Sequence, residues 1–348
     1  MDPATESLQT IKDRRRGRTE AIKQFLGTYA SCEDEDLLAQ MLVTICRMAA
    51  DGTDRGDLKL LTHALKELRY AFKVFAPYSE IPKVSIFGSS RTPEDHPQFL
   101  QARKFAELIQ RAGWMVITGA GGGIMHAGHH GATRQSSFGV AISLPFEQET
   151  NEVIANDPKL VNFKYFFTRK LVFVKEARAI VLFPGGFGTQ DEGFESLTLV
   201  QTAKTLPVPV VLCDEPGGTY WQAWREFVVA ELLDNDMIDE ADMGLFDITD
   251  SAEHAVDIVT TFYRRYHSSR FVGDELVLRL HTPLSAATVD ALNAEYGDIL
   301  LRGNFREQAG PLAGENDEYP EKARLVFTFD RRSAGRLRQL MNVINEAQ

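Results

Sequence analysis

From Lys83 onward, short apolar runs alternate with amphipathic segments, the texture of parallel strands joined by crossover helices. KVSIFGSS (83–90), WMVITGAG (114–121), SFGVAISLP (137–145), RAIVLFPGG (178–186) and VPVVLCD (208–214) predict strands, and helices are predicted around 98–111, 124–134, 188–203 and 220–233. VNFKYFFT (161–168) reads as a further extended segment. Upstream, Leu37, Leu38, Met41, Leu42 and Ile45 recur at helical spacing and predict helices to about residue 75, after which Pro77 and Pro82 punctuate the chain. Asp250 and Ser251, with Glu253 following, offer a helix cap for a segment ending near Tyr266. Beyond it come ELVLRLH (275–281), a helix from Ser285, extended ILLRGNF (299–305), a loop of Gly, Pro and acidic residues, RLVFTF (324–329) and a helix from Ser333. The expected fold class is α/β, a doubly wound Rossmann-like parallel sheet over 81–268. An N-terminal helical extension (1–80) precedes it, and a small α+β appendage (269–348) follows.

Composition narrows the function classes. The 348 residues carry 38 Lys plus Arg against 49 Asp plus Glu, a formal charge of -11 that repels phosphate backbones and argues against broad nucleic-acid binding. The basic stretch around Arg14 to Arg16 therefore reads as a solvated arm before it reads as a nucleic-acid contact. Cys32, Cys46 and Cys213 stand far apart, offering neither a disulfide framework nor a CxxC metal motif. With no membrane-spanning apolar stretch and no apolar core at the start, the expectation is a cytoplasmic protein without a membrane partner.

In open α/β sheets ligands bind beyond the carboxyl ends of the strands, so the loops there carry the candidate chemistry. After the first strand come Gly88, Ser89, Ser90 and Arg91, which fit a phosphate-facing loop and equally fit a turn with a surface Arg. After the second, Gly119, Gly121, Gly122 and Gly123 let the backbone bend and aim N–H groups at an anion on a helix N-terminus. This is not the dinucleotide fingerprint, since Ile124 replaces its last glycine, and no Gly-Lys-Ser/Thr makes a P-loop. The strongest signal is F-P-G-G-F-G-T-Q-D-E, 183–192: Pro184 ends the strand, Gly185, Gly186 and Gly188 free the backbone, and Thr189 can cap the next helix and bond a phosphate oxygen. Glu192 falls in the first turns of that helix, within reach of a sugar, where it also suits the helix dipole, a role Asp191 can fill. His126, His129 and His130 lie at helical spacing, but no acidic or thiol partner in the sequence completes a metal site.

Arg169 and Lys170 followed by P-G-G-F-G-T-Q-D-E resemble the paired signature of the LONELY GUY (LOG) family, R-K-x-x-M and P-G-G-x-G-T-x-x-E, with Glu192 placed 23 residues after Arg169 as the pattern requires. SLPFEQ (143–148), NFKYFFTRK and GFESLTLVQTAK are similar to the longer bacterial members, and the likeness is specific over about 83–266. Phe173 stands where the motif has Met, and His126 where long relatives commonly show Glu. The resemblance implies hydrolysis of the N-glycosidic bond of a nucleoside 5'-monophosphate to free base and ribose 5-phosphate, with no cofactor and with subunits pairing as a homodimer or larger oligomer. It also implies that Arg169 and Glu192 are the catalytic pair and that Gly185, Gly186, Gly188 and Thr189 hold the phosphate. Lys170 either supports Arg169 or lies as a surface side chain.

A carboxylate beside the ribose suits an oxocarbenium-like transition state, while a guanidinium acts by position and charge and not as a base. The alternatives are a non-catalytic nucleotide sensor using the same cradle, or an assembly protein. A sensor needs the glycines but not a carboxylate at the sugar. The label lysine decarboxylase, sometimes attached to such proteins, has no mechanism here, because no Lys is picked out as a pyridoxal-phosphate anchor. The run SLTLVQTAKTL and the N-terminal helices offer the apolar surface for association.

Overall fold

The computed structural model describes residues 17, 20–28, 34–143 and 150–347. The basic stretch at Arg14 to Arg16, Cys32 and most of SLPFEQ lie outside them. The chain divides into two compact units, 1–66 and 67–348. In the first, a helical segment α1 (20–27) is followed by α2 (Glu35–Ala50) and the opening turns of α3 (Arg55–Phe75). Leu37, Leu38, Met41 and Ile45 of α2 are exposed, so its apolar positions do not form a core within the described residues.

The second unit is built on a seven-stranded parallel sheet in the order β4-β3-β2-β1-β5-β6-β7. Its strands are β1 (Lys83–Phe87), β2 (Met115–Thr118), β3 (Ser137–Ile142), β4 (Leu160–Phe163), β5 (Ala179–Leu182), β6 (Val210–Cys213) and β7 (Asp247–Thr249). The helices between them are α4 (Pro97–Arg111), α5 (Ile124–Ala132), α6 (Phe166–Glu176), α7 (Phe187–Gln201), α8 (Tyr220–Phe227) and α9 (Ala252–Phe262). The short strands are buried along their length because helices cover both faces, which is why they read as unbroken apolar runs. One face buries Val84, Ile86, Phe105 and Val181 with α4, α5 and α9. The other buries Phe87, Phe138, Phe173 and Leu182 with α6, α8 and the end of α3. Each large side chain removed from water in this way contributes about 1.5–3 kcal/mol.

Several elements differ from expectation. Only the first part of VNFKYFFT is strand: from Phe166 the chain turns into α6, because Lys164 N and Thr168 Oγ1 each donate to the Glu67 carboxylate at 2.7 Å and so organise a helix start. The helix expected to end near Tyr266 stops at Phe262, since Tyr266 already opens a strand. As expected, Ser251 caps α9, accepting from His254 N at 3.2 Å.

A separate antiparallel sheet, ordered β10-β11-β9-β8, joins β8 (Tyr266–Val272), β9 (Glu275–Leu280), β10 (Leu300–Ala309) and β11 (Ala323–Phe329), with α10 (Ala286–Glu295) and α11 (Ala334–Glu346). Its core of Leu278, Phe305, Phe327 and Leu340 is shared with Phe262 at the end of α9. The run SLTLVQTAKTL is largely spent inside its own chain: Val200 packs with Leu245 and Ala334, and Leu197 lies against them. It therefore contributes little of the free apolar surface expected of it.

Candidate functional site

The two halves of the parallel sheet diverge on either side of β1. β2 follows on one flank and β5 lies on the other, with Phe87 paired to Leu182 at their carboxyl ends. Such a reversal of strand order opens a crevice beyond the sheet. The loop after β1 and the loop after β5 flank it and are bonded directly, Ser89 N donating to Pro184 O at 3.1 Å. A cleft of about 620 Å³ opens there, lined by Gly88, Ser89 and Arg91 from the first loop, Gly186, Gly188, Thr189 and Glu192 from the second, and Arg169 from α6.

The glycines of this region divide by role. A Cβ on Gly185 would collide with Thr189 Oγ1 and the Ser89 amide, so its bareness lets the two loops close. Gly186 and Gly188 have open space where a side chain would stand, and Gly186 precedes α7 without any side-chain cap. The first amides of α7 therefore face a space that an anion can enter. The Tyr220 hydroxyl braces this loop, donating to Gly185 O at 2.5 Å and accepting from Gln190 Nε2 at 2.7 Å. Pro184 and Gly185 line not the main cleft but a neighbouring cavity of about 280 Å³ that shares Ser89 and Arg91.

Gly121, Gly122 and Gly123 stand outside the cleft. The amide of Ile124, which opens α5, donates to Ser89 O at 2.9 Å, and the Gly121 carbonyl accepts from Asn151 Nδ2 at 2.9 Å. Gly123, at φ 59, backs directly onto Ser89 and Ser90, where any Cβ would clash. These glycines buttress the first loop from behind, while Gly119 lines the cleft and leaves room for the Arg169 guanidinium, which a Cβ would strike.

His129 fixes the turn behind them. Its Nε2 donates to Phe138 O at 3.0 Å, and Nδ1 lies 3.1 Å from Asn151 Nδ2, an arrangement for the neutral ring. Burial pushes its pKa down to about 4, with its hydrogen bonds opposing the shift only in part. His126 is also buried, with Glu94 3.3 Å from Nδ1 and Glu152 3.4 Å from Nε2. The carboxylates approach opposite ring nitrogens, so they do not converge on one centre, and no metal-holding cluster occurs among the described residues.

Arg169 is held from below. Its Nε donates to Val140 O at 2.9 Å, and its guanidinium lies 5.0 Å over the buried Phe173 ring. Phe173, which departs from the methionine of the motif, thus supplies a flat aromatic shelf for the cation. Lys170 points elsewhere, pairing with Glu195 at 2.6 Å and Asp191 at 2.8 Å, and does not line the cleft. Glu192 is only 7% exposed and its carboxylate makes no hydrogen bond among the described residues. Burial raises its pKa to about 7, against the opposing pull of Lys170 and Arg169. The Arg169 guanidinium is in turn lowered by burial and sustained by the Glu192 charge. The two interact through space without a direct ion pair.

Phe166 and Phe187 complete the lining, the latter 96% exposed at the first position of α7. Neither is picked out by a reading of polar chemistry. The surrounding motif was the available signal for Phe187.

Residues 122–259 match a family model described as possible lysine decarboxylase. The comparison with curated proteins gives no match. Among solved structures, the chain is similar to the molybdenum cofactor binding protein of the phototrophic bacterium Rippkaea orientalis, at 16% identity over 52% of this chain and 96% of that one, with TM-score 0.39. It is also similar to the molybdenum cofactor carrier protein of Chlamydomonas reinhardtii, at 20% identity over 52% of this chain and 96% of that one, with TM-score 0.37. The segment matched by that model contains Arg169 and the P-G-G-F-G-T-Q-D-E loop, which the fold brings to one cleft.

Proposed function

We propose that the protein hydrolyses the N-glycosidic bond of a nucleoside 5'-monophosphate, releasing free base and ribose 5-phosphate. The observation that carries this reading is a buried carboxylate, Glu192, with a pKa near 7 and no internal partner, two turns into a helix whose N-terminus is a glycine cradle. A structural carboxylate at that depth would be paired or hydrogen-bonded. In this reading the 5'-phosphate sits on Gly186, Gly188 and Thr189 at the start of α7, with Ser89 and Arg91 on its other side. The ribose then lies over Glu192. As the C1'–N bond lengthens, the ionised carboxylate stabilises the positive charge on the sugar, and the same oxygen accepts the proton of the water that attacks C1'. Arg169, fixed over Phe173, hydrogen-bonds the departing base, which carries away the electron pair of the broken bond and takes up, directly or through water, the proton that Glu192 accepted, so the carboxylate is regenerated. A pure sensor has no use for Glu192, whose burial costs stability, so the enzymatic reading is preferred to the sensor.

For association, we propose a homo-oligomer whose contact uses the exposed apolar residues Phe166, Phe167 and Leu171 of α6, which adjoin the cleft.

Glu192→Gln is expected to keep nucleotide binding and lose turnover by at least about 100-fold, the scale of a lost transition-state electrostatic contact. Steady-state rates with a panel of nucleoside monophosphates check this, and near-normal turnover refutes the assignment. The same variant tests the buried charge by equilibrium unfolding. A carboxyl whose folded pKa is raised to about 7 from 4.5 gives stability that is full below pH 4.5 and lost as pH rises through 7. The wild type should therefore lose up to about 3 kcal/mol across that window relative to Glu192→Gln, and parallel pH profiles would contradict it. If the α7 cradle grips phosphate, a nucleoside should have kcat/KM lower than its 5'-monophosphate by at least about 100-fold, whereas equal values would remove the phosphate from the scheme. Light scattering at micromolar concentration should give a mass at least twice 39.0 kDa. A monomer that stays fully active on dilution would exclude a required partner subunit.

A further inference from the structure

A second cavity of about 460 Å³ opens at the other end of the same sheet, lined by Arg178, Lys204, Tyr266, His267, Ser269 and Phe271 among others. Arg178 is the residue before β5, and Lys204 lies just past the end of α7, so the cavity sits where β5 begins and α7 finishes. The antiparallel sheet closes it with β8.

The charge pattern is unusual for an acidic chain. No carboxylate lines the cavity, and among the described residues neither Arg178 nor Lys204 makes an ion pair. The His267 ring is held down to a pKa of about 4, first by burial and then by His281, Lys322 and Arg178, so positive charge converges on this spot. Lys204 alone could be explained as the cation that offsets the carboxyl-terminal dipole of α7. That account does not cover the half-buried Arg178, which belongs to another element and bonds nothing through its guanidinium. Hydroxyls stand beside the cations: Ser269 Oγ lies 2.6 Å from the Tyr266 hydroxyl, and Ser268 Oγ 2.8 Å from His267 Nδ1. Phe271, two residues after Ser269 on β8, adds a ring that also lies 4.3 Å from the Arg331 guanidinium.

We propose that this cavity is a second ligand site, for a small phosphorylated metabolite whose phosphate is held by Arg178 and Lys204 and whose organic part lies against Phe271 and Tyr266. A phosphate matches two unpaired cations with adjacent hydroxyls better than a carboxylate does, having more charge and three acceptor oxygens. The aromatic wall adds apolar contact that a bare anion cannot use.

Phenyl phosphate and inorganic phosphate serve as probes, titrated calorimetrically into Gly188→Leu. There the leucine alters the glycine loop of the main cleft and leaves the Arg178 and Lys204 cavity unchanged. Phenyl phosphate should bind this variant with a stoichiometry of one per chain, and more tightly than inorganic phosphate. Adding Arg178→Gln and Lys204→Gln should weaken it at least about tenfold, the scale of a lost charge-assisted contact. Lys204→Gln alone, on an exposed side chain, supplies the same comparison if the double change impairs folding. Absence of binding to Gly188→Leu, or binding that the Gln changes leave untouched, overturns the site. Equal affinity for the two probes overturns the aromatic part of it. Because Arg178 and Lys204 do not line the main cleft, a loss of binding caused by their replacement is independent of whether the protein cleaves nucleotides.

Discussion

Ser89 donates its amide to the carbonyl of Pro184, and through that bond the ends of β1 and β5 are tied across the place where the sheet changes direction. The geometry of the cleft follows from it. Ser89 also accepts from the amide of Ile124, so the first loop is pinned on one side to the loop after β5 and on the other to the start of α5. Such close backbone approach is possible only because Gly185 and Gly123 have no Cβ at the two points of contact. The left-handed Ala120, whose amide donates to Thr118 Oγ1 at 3.0 Å, adds local backbone cost in the same turn. The surrounding bonds to Asn151 and His129 hold it there.

The electrostatics of the cleft rest on an imbalance that the fold maintains. Glu192 loses water on folding and gains no hydrogen bond, a cost that packing elsewhere has to offset. Lys170 acts on it only through space, because Asp191, at the cleft, and the half-buried Glu195 take up its ammonium as direct partners. Arg169 is kept apart by different means, its Nε engaged by the Val140 carbonyl and its plane resting on Phe173. The result is a carboxyl whose pKa burial raises to about 7, beside a guanidinium that does not pair with it directly.

The sheet was legible because buried parallel strands leave unbroken apolar runs, and five of its seven strands stand out for that reason. β7 escapes notice because Asp247, Ile248 and Thr249 form a three-residue edge strand with no apolar run to announce it. Within VNFKYFFT, local composition favours strand throughout, yet the Glu67 carboxylate, about a hundred residues earlier, turns its second half into helix. The glycine loop that lines the cleft could be read from its sequence. The division of labour among glycines could not, since Gly186 faces space, Gly185 faces Thr189, and Gly123 faces Ser89 with the same one-letter code. Likewise Lys170 adjoins Arg169 in sequence, but neighbours on a helix point about 100° apart, and only the arginine enters the cleft.

The appendage is bound to the parallel sheet through buried polar contacts as well as apolar ones. Arg338 of α11, 2% exposed, places its guanidinium 3.0 Å from Asp247 on β7 and 3.3 Å from the Val208 carbonyl ahead of β6. Gly335, one turn earlier, lies against the Ala241 carbonyl so closely that no side chain fits. Tyr263, at the end of α9, donates its hydroxyl to the Arg178 carbonyl at 2.6 Å. Val208 and Arg178 sit at the amino ends of adjacent strands, so these bonds fix the small sheet against the edge of the parallel sheet remote from the cleft. β5 and α7 each have one end there and the other at the cleft, so the small sheet packs beside the far ends of the two elements that carry Gly186 and Glu192 into the site.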